Sequence, residues 1–108
     1  MRTEKICNMT KGWFIGNFEP SLYKTNSCEV AVKSYVKGER EQAHFHKIAT
    51  EITVVVKGNI RMFDRIFHEG DIVIVEPGDV TSFEALDDAM NVVVKIPGAN
   101  NDKYIVEE

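Results

Sequence analysis

The chain is short of several features, and each shortage excludes something. It has only two cysteines, Cys7 and Cys28, without metal-ligand spacing, so neither a cysteine zinc site nor a disulfide framework is expected. The N-terminal "MRTEKICNMTKGWF" has no apolar core of signal-peptide type, so reduced thiols and a cytoplasmic location are expected. No apolar run is long enough to span a membrane. Positive charge is not in excess: 13 Lys and Arg stand against 17 Asp and Glu, a formal net charge of −4. With no basic stripe interleaved with aromatics, a nucleic-acid partner is not expected. A sustained 3.6-residue period is also missing, and "EALDDAM" (84–90) has room for one helical turn at most. No repeat, low-complexity tract or internal linker breaks the sequence, so 1–108 is read as a single domain.

What the chain does have is strand-forming sequence. "EVAVKSYV" (29–36), "EITVVV" (51–56), "DIVIV" (71–75) and "NVVVKI" (91–96) are short, rich in β-branched residues and bounded by turn residues. "WFIGNF" (13–18) and "NIRMF" (59–63) are weaker strands. Gly58-Asn59 and the neighbourhood of Asp64-Arg65 read as hairpin turns, and "EPGD" (76–79) as a turn. The fold class is therefore all-β, a sandwich or barrel of short strands.

One stretch carries chemistry: "GEREQAHFHKIATEITVVVKG", from Gly38 to Gly58. On an extended strand, residues two apart share a face, so His44 and His46 project side by side and Phe45 points away. Residues 47–50 can turn the chain, which lets Glu51 open the next strand beside the pair. Two imidazoles and a carboxylate suit a divalent transition metal, Fe(II), Mn(II), Ni(II) or Zn(II), with positions left open for water, oxygen or substrate. Gln42, two before His44, is expected on the same face as a pocket group.

Written out, the stretch is G-x5-H-x-H-x4-E-x6-G. This resembles the first motif of the cupin superfamily without a mismatch. The second motif of that family, G-x5-P-x-G-x2-H-x3-N, is matched only in part. Gly70 opens it, "DIVIV" fills the five positions and Gly78 fits. Glu76 takes the place of the proline, Thr81 that of the histidine and Ala85 that of the asparagine. The resemblance covers roughly 38–85 and implies a small double-stranded β-helix (jelly-roll) barrel with a metal inside it. By position, His44, His46 and Glu51 inherit three ligand places. Thr81 inherits the fourth without its chemistry, because a hydroxyl is a poor ligand for these metals. One metal per chain is expected, with Fe(II) favoured.

The resemblance also implies activities. The first is a metal-dependent, dioxygenase-like oxidoreductase acting on a small organic molecule, with Gln42 and Thr81 orienting substrate or water. "HFHK" is also similar to a stretch of cupin-type sugar-nucleotide isomerases and epimerases, which work without a metal. There Lys33, Lys47, Arg61 and Lys95 are the candidate contacts for a diphosphate. A non-catalytic binding cupin is the third. Elsewhere, Thr53 and Val55 should face the interior with Glu51, while Ile52, Val54 and Val56 face out. Ala31 and Tyr35 are expected on the outer surface too, with a second subunit covering it as a homodimer and "GWFIGNF" as an arm across the interface. His68 is expected to be exposed, and Glu84 to point away from the metal centre.

Overall fold

The β-branched runs become strands, and the chain deals them alternately into two sheets. The computed structural model describes residues 1–107. After a 3₁₀ turn at Ile6–Asn8 come β1 (Trp13–Ile15), β2 (Glu29–Tyr35), β3 (Arg40–Phe45), β4 (Thr50–Lys57) and β5 (Ile60–Met62). Then follow β6 (Arg65–Phe67), β7 (Ile72–Val75), β8 (Thr81–Ala85), β9 (Ala89–Ile96) and β10 (Tyr104–Ile105). One sheet runs β1-β2-β9-β4-β7 and the other β10-β3-β8-β5-β6. All their pairings are antiparallel. From β2 onward every step along the chain changes sheet except the β5–β6 hairpin. That winding is a double-stranded β-helix, the all-β jelly-roll barrel that the motifs imply.

Three local expectations change. Gly58-Asn59 is not a hairpin turn but a corner, because β4 and β5 lie in different sheets. Gly58 has φ +79, and a Cβ there would lie 2.5 Å from the carbonyl oxygen of Asp88, so only glycine fits the corner. The β5–β6 turn falls one residue earlier than read, on Phe63 and Asp64, both at positive φ (52 and 55), as a two-residue hairpin requires. Residues 84–90 contain no helical turn. They end β8, bend and start β9, and their carboxylates hold other loops: Asp87 accepts from Asn59 Nδ2 (2.6 Å) and Asp88 from the Lys37 amide (2.9 Å). Local bonding of this kind competes with helix.

The interior changes character along its length. At one end Val55, Ile60, Met62, Val73, Val75, Phe83, Ala85 and Ala89 form the apolar core, with Tyr35 and Phe67 packed against it. Further along the same strands the inward positions turn polar: Thr53 and Glu51 on β4, Lys95 on β9 and Glu29 on β2, with Glu51, Lys95 and Glu29 side by side; Asn91 and Lys33 stand in register with Val55, at the border of the two ends. Ala31 and Tyr35 belong to this inner row, and the outward residues of β2 are Val30 and Val32; the expectation of Ala31 and Tyr35 outside is corrected by the parity of Glu29.

Candidate metal and ligand site

The site is built where β3 meets the turn into β4. His44 lies at the end of β3, His46 follows it by two residues, and their ring centroids lie 5.4 Å apart at 84°. Nδ1 of His44 lies 2.8 Å from the carbonyl oxygen of Gln42. A carbonyl only accepts, so Nδ1 carries the proton and the neutral ring keeps its Nε2 lone pair free. His46 is 3% exposed, and its Nε2 is buried with no hydrogen-bond partner among the described residues. Burial, with Lys95 and His44 acting in the same direction, pushes the His46 imidazole down to about 4.

Glu51 stands opposite Lys95 in the β4–β9 register, on the inward face. Burial raises its carboxyl above the usual carboxylate range, against the pull of Lys95 and His44. Phe45 points away from the histidines, as expected, and stacks on Tyr104 at 5.3 Å.

Gln42 does not share His44's face. The β3–β8 register shifts between Glu41 and His44, so Glu41 pairs with Phe83 and His44 with Thr81. The bulge breaks the two-residue alternation. Gln42 is exposed and meets His44 through its backbone, while Glu41 takes the inward place. Thr81 lies directly across from His44 and is buried. Its hydroxyl accepts from the Phe63 amide (2.9 Å) and donates to the Ser82 carbonyl (2.8 Å), so it is committed to the hairpin turn.

Two lysines line the same end. Lys33 Nζ lies 3.6 Å from Glu41 Oε1, and burial lowers its pKa below the usual lysine range against the attraction of Glu41 and Glu51. Lys33 and Lys95 both approach the Trp13 ring, at 5.4 and 4.9 Å from its centroid. Trp13 reaches that place because β1 pairs with β2 at Ala31; the aromatic segment is thus a strand of its own barrel and not a free arm. Burial, Glu41 and Glu51 hold the Tyr35 phenol well above its usual range. A cleft of about 570 Å³ opens between Lys33, Tyr35 and Glu41 on one side and Ile6, Cys7 and Met9 on the other. Lys47, Arg61 and His68 are exposed, and Glu84 pairs with Arg40 and Arg61.

Asp102 went unnoticed in the sequence. It is 5% exposed, and its carboxylate receives the amides of Lys47, Ile48 and Ala49 at 3.0 to 3.2 Å. Burial opposes its charge, but the amides of Ala49, Lys47 and Ile48 outweigh that and keep its carboxyl below the usual range. Asp102 lies over fifty residues from its partners along the chain, so no local pattern announces it.

The donor set bears on whether a cation fits. One imidazole offers a free Nε2 lone pair and the other a buried Nε2 with nothing to bond, which suits a metal at this place. As the side chains stand, no three His, Cys, Asp or Glu among the described residues are close enough together to hold an ion.

No family model matches the sequence, and no curated protein matches it. Solved structures do. A Klebsiella pneumoniae protein with a double-stranded β-helix domain is 24% identical over 78% of this chain and 74% of that one, with a TM-score of 0.70. The DMSP lyase DddQ from Ruegeria pomeroyi is 20% identical over 87% of this chain, with a TM-score of 0.72, and this chain spans 49% of it. The Streptomyces protein Pac13, a nucleoside dehydratase solved with uridine, is 19% identical over 77% of this chain and 71% of that one, with a TM-score of 0.64. The chain has the double-stranded β-helix fold of the RmlC-like cupins.

Proposed function

We propose that this chain is a metal-dependent cupin that acts on a small organic anion at the polar end of its barrel. The observation that carries this reading is the buried, partnerless Nε2 of His46 beside a His44 whose Nδ1 is fixed on a backbone carbonyl. His44, His46 and Glu51 hold the ion. Such an ion supplies Lewis acidity and open positions for substrate or oxygen, as a dioxygenase-like oxidation needs.

The chain's own groups select the ligand. By formal charge, Glu29, Glu41, Glu51 and Asp102 outnumber Lys33, Lys95 and Lys103 by one at this end, and a divalent cation reverses the balance to one positive charge. A mononegative substrate then fits, its anionic group on Lys33 or Lys95 and its flat part against Trp13. Tyr35, held protonated, offers a hydrogen-bond donor toward the cleft. Thr81 keeps His44's neighbourhood in shape through the Phe63 turn rather than touching ligand.

Metal analysis of the purified protein, followed by titration with Fe(II), Mn(II), Ni(II) and Zn(II), tests the metal. The expected result is one ion per chain, lost in each of His44→Ala, His46→Ala and Glu51→Ala. Unchanged affinity in all three removes the metal from the reading. Oxygen uptake by the Fe(II)-loaded protein tests the reaction type.

A second reading is favoured by the inward set Lys33, Glu41 and Tyr35: acid–base elimination or isomerisation without a metal. Similar structures named as a lyase and a nucleoside dehydratase support it as chemistry this fold accommodates. Turnover that survives exhaustive chelation decides for it. A binding cupin without turnover is what remains if ligands bind and neither assay gives product.

The outer face of the first sheet supports the homodimer. Ile72 and Ile74 are 63% and 56% exposed, and Val56 and Ile96 belong to neighbouring strands of the same sheet. Burying such residues between two copies is worth roughly 25 cal/mol per Å². Light scattering is expected to give twice the 12.3 kDa chain mass, and Ile74→Asp to halve it; a monomeric parent ends the dimer reading.

A further inference from the structure

The stretch after β9 does more than finish the barrel: it is fastened repeatedly to the residues that present the site. The Gly98 amide donates to the Asn26 carbonyl (2.9 Å), and the Ala99 amide to Glu29 Oε2 (2.8 Å). Asp102 then receives three successive amides from 47–49. Beyond it β10 joins the edge of the second sheet, placing Tyr104 beside Phe45 and Ile105 beside His44. The Val106 amide donates to the Ala43 carbonyl (2.9 Å), and Lys47 Nζ lies 4.3 Å from the Tyr104 ring centroid.

The placement of Asp102 matters most. The turn 47–49 links His46, at the end of one sheet, to the strand of the other sheet that carries Glu51. A short polar turn between two sheets has its amides unpaired, and buried unpaired amides are costly. A single ionised carboxylate takes all three at 3.0 to 3.2 Å. Charge-assisted bonds of this kind are directional and strong. They fix the path of the turn, and with it the separation and aim of the two side chains at its ends.

We propose that Asp102 is a positioning residue for the site: by gripping the 47–49 amides it sets the geometry of His46 relative to Glu51, and the segment 98–106 is part of the site's machinery. This role rests on His44, His46 and Glu51 being the working residues, but its first test does not require a metal. The imidazole resonances of the three histidines are followed by NMR in the parent and in Asp102→Asn. His68, exposed and held on Asn59 (2.7 Å), is the internal reference. The expected result is displaced His46 signals, unmoved His68 signals, and amide exchange at Lys47, Ile48 and Ala49 faster by roughly tenfold or more.

Zinc(II) titration is the second readout. Asp102→Asn is expected to weaken affinity by roughly ten- to a hundredfold, the range for residues that orient ligands. Val55→Ala, a cavity in the distant core, lowers stability and leaves affinity alone, which separates positioning from general destabilisation. If Asp102→Asn does not fold, Asp102→Glu replaces it, keeping the charge one methylene further out; displaced His46 signals against fixed His68 signals remain the expected result. If the parent binds no metal, the metal reading fails and the ring signals alone decide. Unmoved His46 signals overturn the positioning role, as does unchanged zinc affinity in a protein whose parent binds zinc.

Discussion

The two ends of the barrel are made from the same strands and obey opposite rules. Along β4 the inward residues pass from Glu51 through Thr53 to Val55, and along β9 from Lys95 through Val93 and Asn91 to Ala89. The Val55 end is close-packed and largely apolar, although Asn91, opposite Val55, is buried there with its Oδ1 unpartnered among the described residues. The Glu51 end gathers two histidines, carboxylates and lysines, with one imidazole nitrogen lacking a partner and a carboxylate whose charge burial disfavours. Apolar burial stabilises the fold, whereas unpaired polar burial destabilises it. Most of the apolar stabilisation therefore lies at one end, and the other carries its polar groups at some cost to the fold.

The largest effect expected from breaking this contrast lies in the core. Phe83→Ala removes a buried ring that packs on Tyr35 with centroids 4.5 Å apart. It is expected to lower stability by about 4 kcal/mol, read by denaturant unfolding, without abolishing metal binding.

The mirror experiment is His46→Ala. It is expected to leave stability nearly unchanged, because the lost imidazole had an unsatisfied nitrogen, and to weaken zinc or manganese binding by roughly hundredfold or more, about 2.8 kcal/mol. Calorimetric titration reads it. A large stability loss with intact binding would invert the division between the two ends.

Thr81→His tests the boundary. An imidazole at 81 stands across from His44 in register, so metal affinity is expected to tighten roughly tenfold, about 1.4 kcal/mol. The Phe63 amide loses its acceptor, which is expected to reduce stability by about 1 kcal/mol. Affinity no better than the parent's means that the side chain at 81 does not reach the pair.

The smallest effect is a gain. Glu51→Gln removes a charge that burial disfavours, and the metal-free protein is expected to become more stable by about 1 kcal/mol, seen as a raised melting midpoint. A lowered midpoint would mean that Lys95 and His44 stabilise the carboxylate more than burial penalises it.

The four strongest strands, the barrel class and the H-x-H pair were legible because each depends on short-range sequence: β-branched alternation, turn residues, and two side chains on one face. Glu41 in place of Gln42 was not legible, since a bulge is an offset between two strands and leaves no mark on either alone. Thr81's commitment to the Phe63 amide, and the inward turn of Ala31 and Tyr35, likewise depended on which strands became neighbours.

What the sequence by itself determined is the strand content and the identity of the candidate ligands, because alternation and spacing are properties of one stretch of chain. The tertiary structure alone decided the register within each sheet: Lys95 faces Glu51, Thr81 faces His44, and Asp102 grips the turn between His46 and Glu51. Those residues lie tens of positions apart, and only the assembly of each sheet from strands distant in sequence, with the 98–106 segment laid beside them, makes them neighbours.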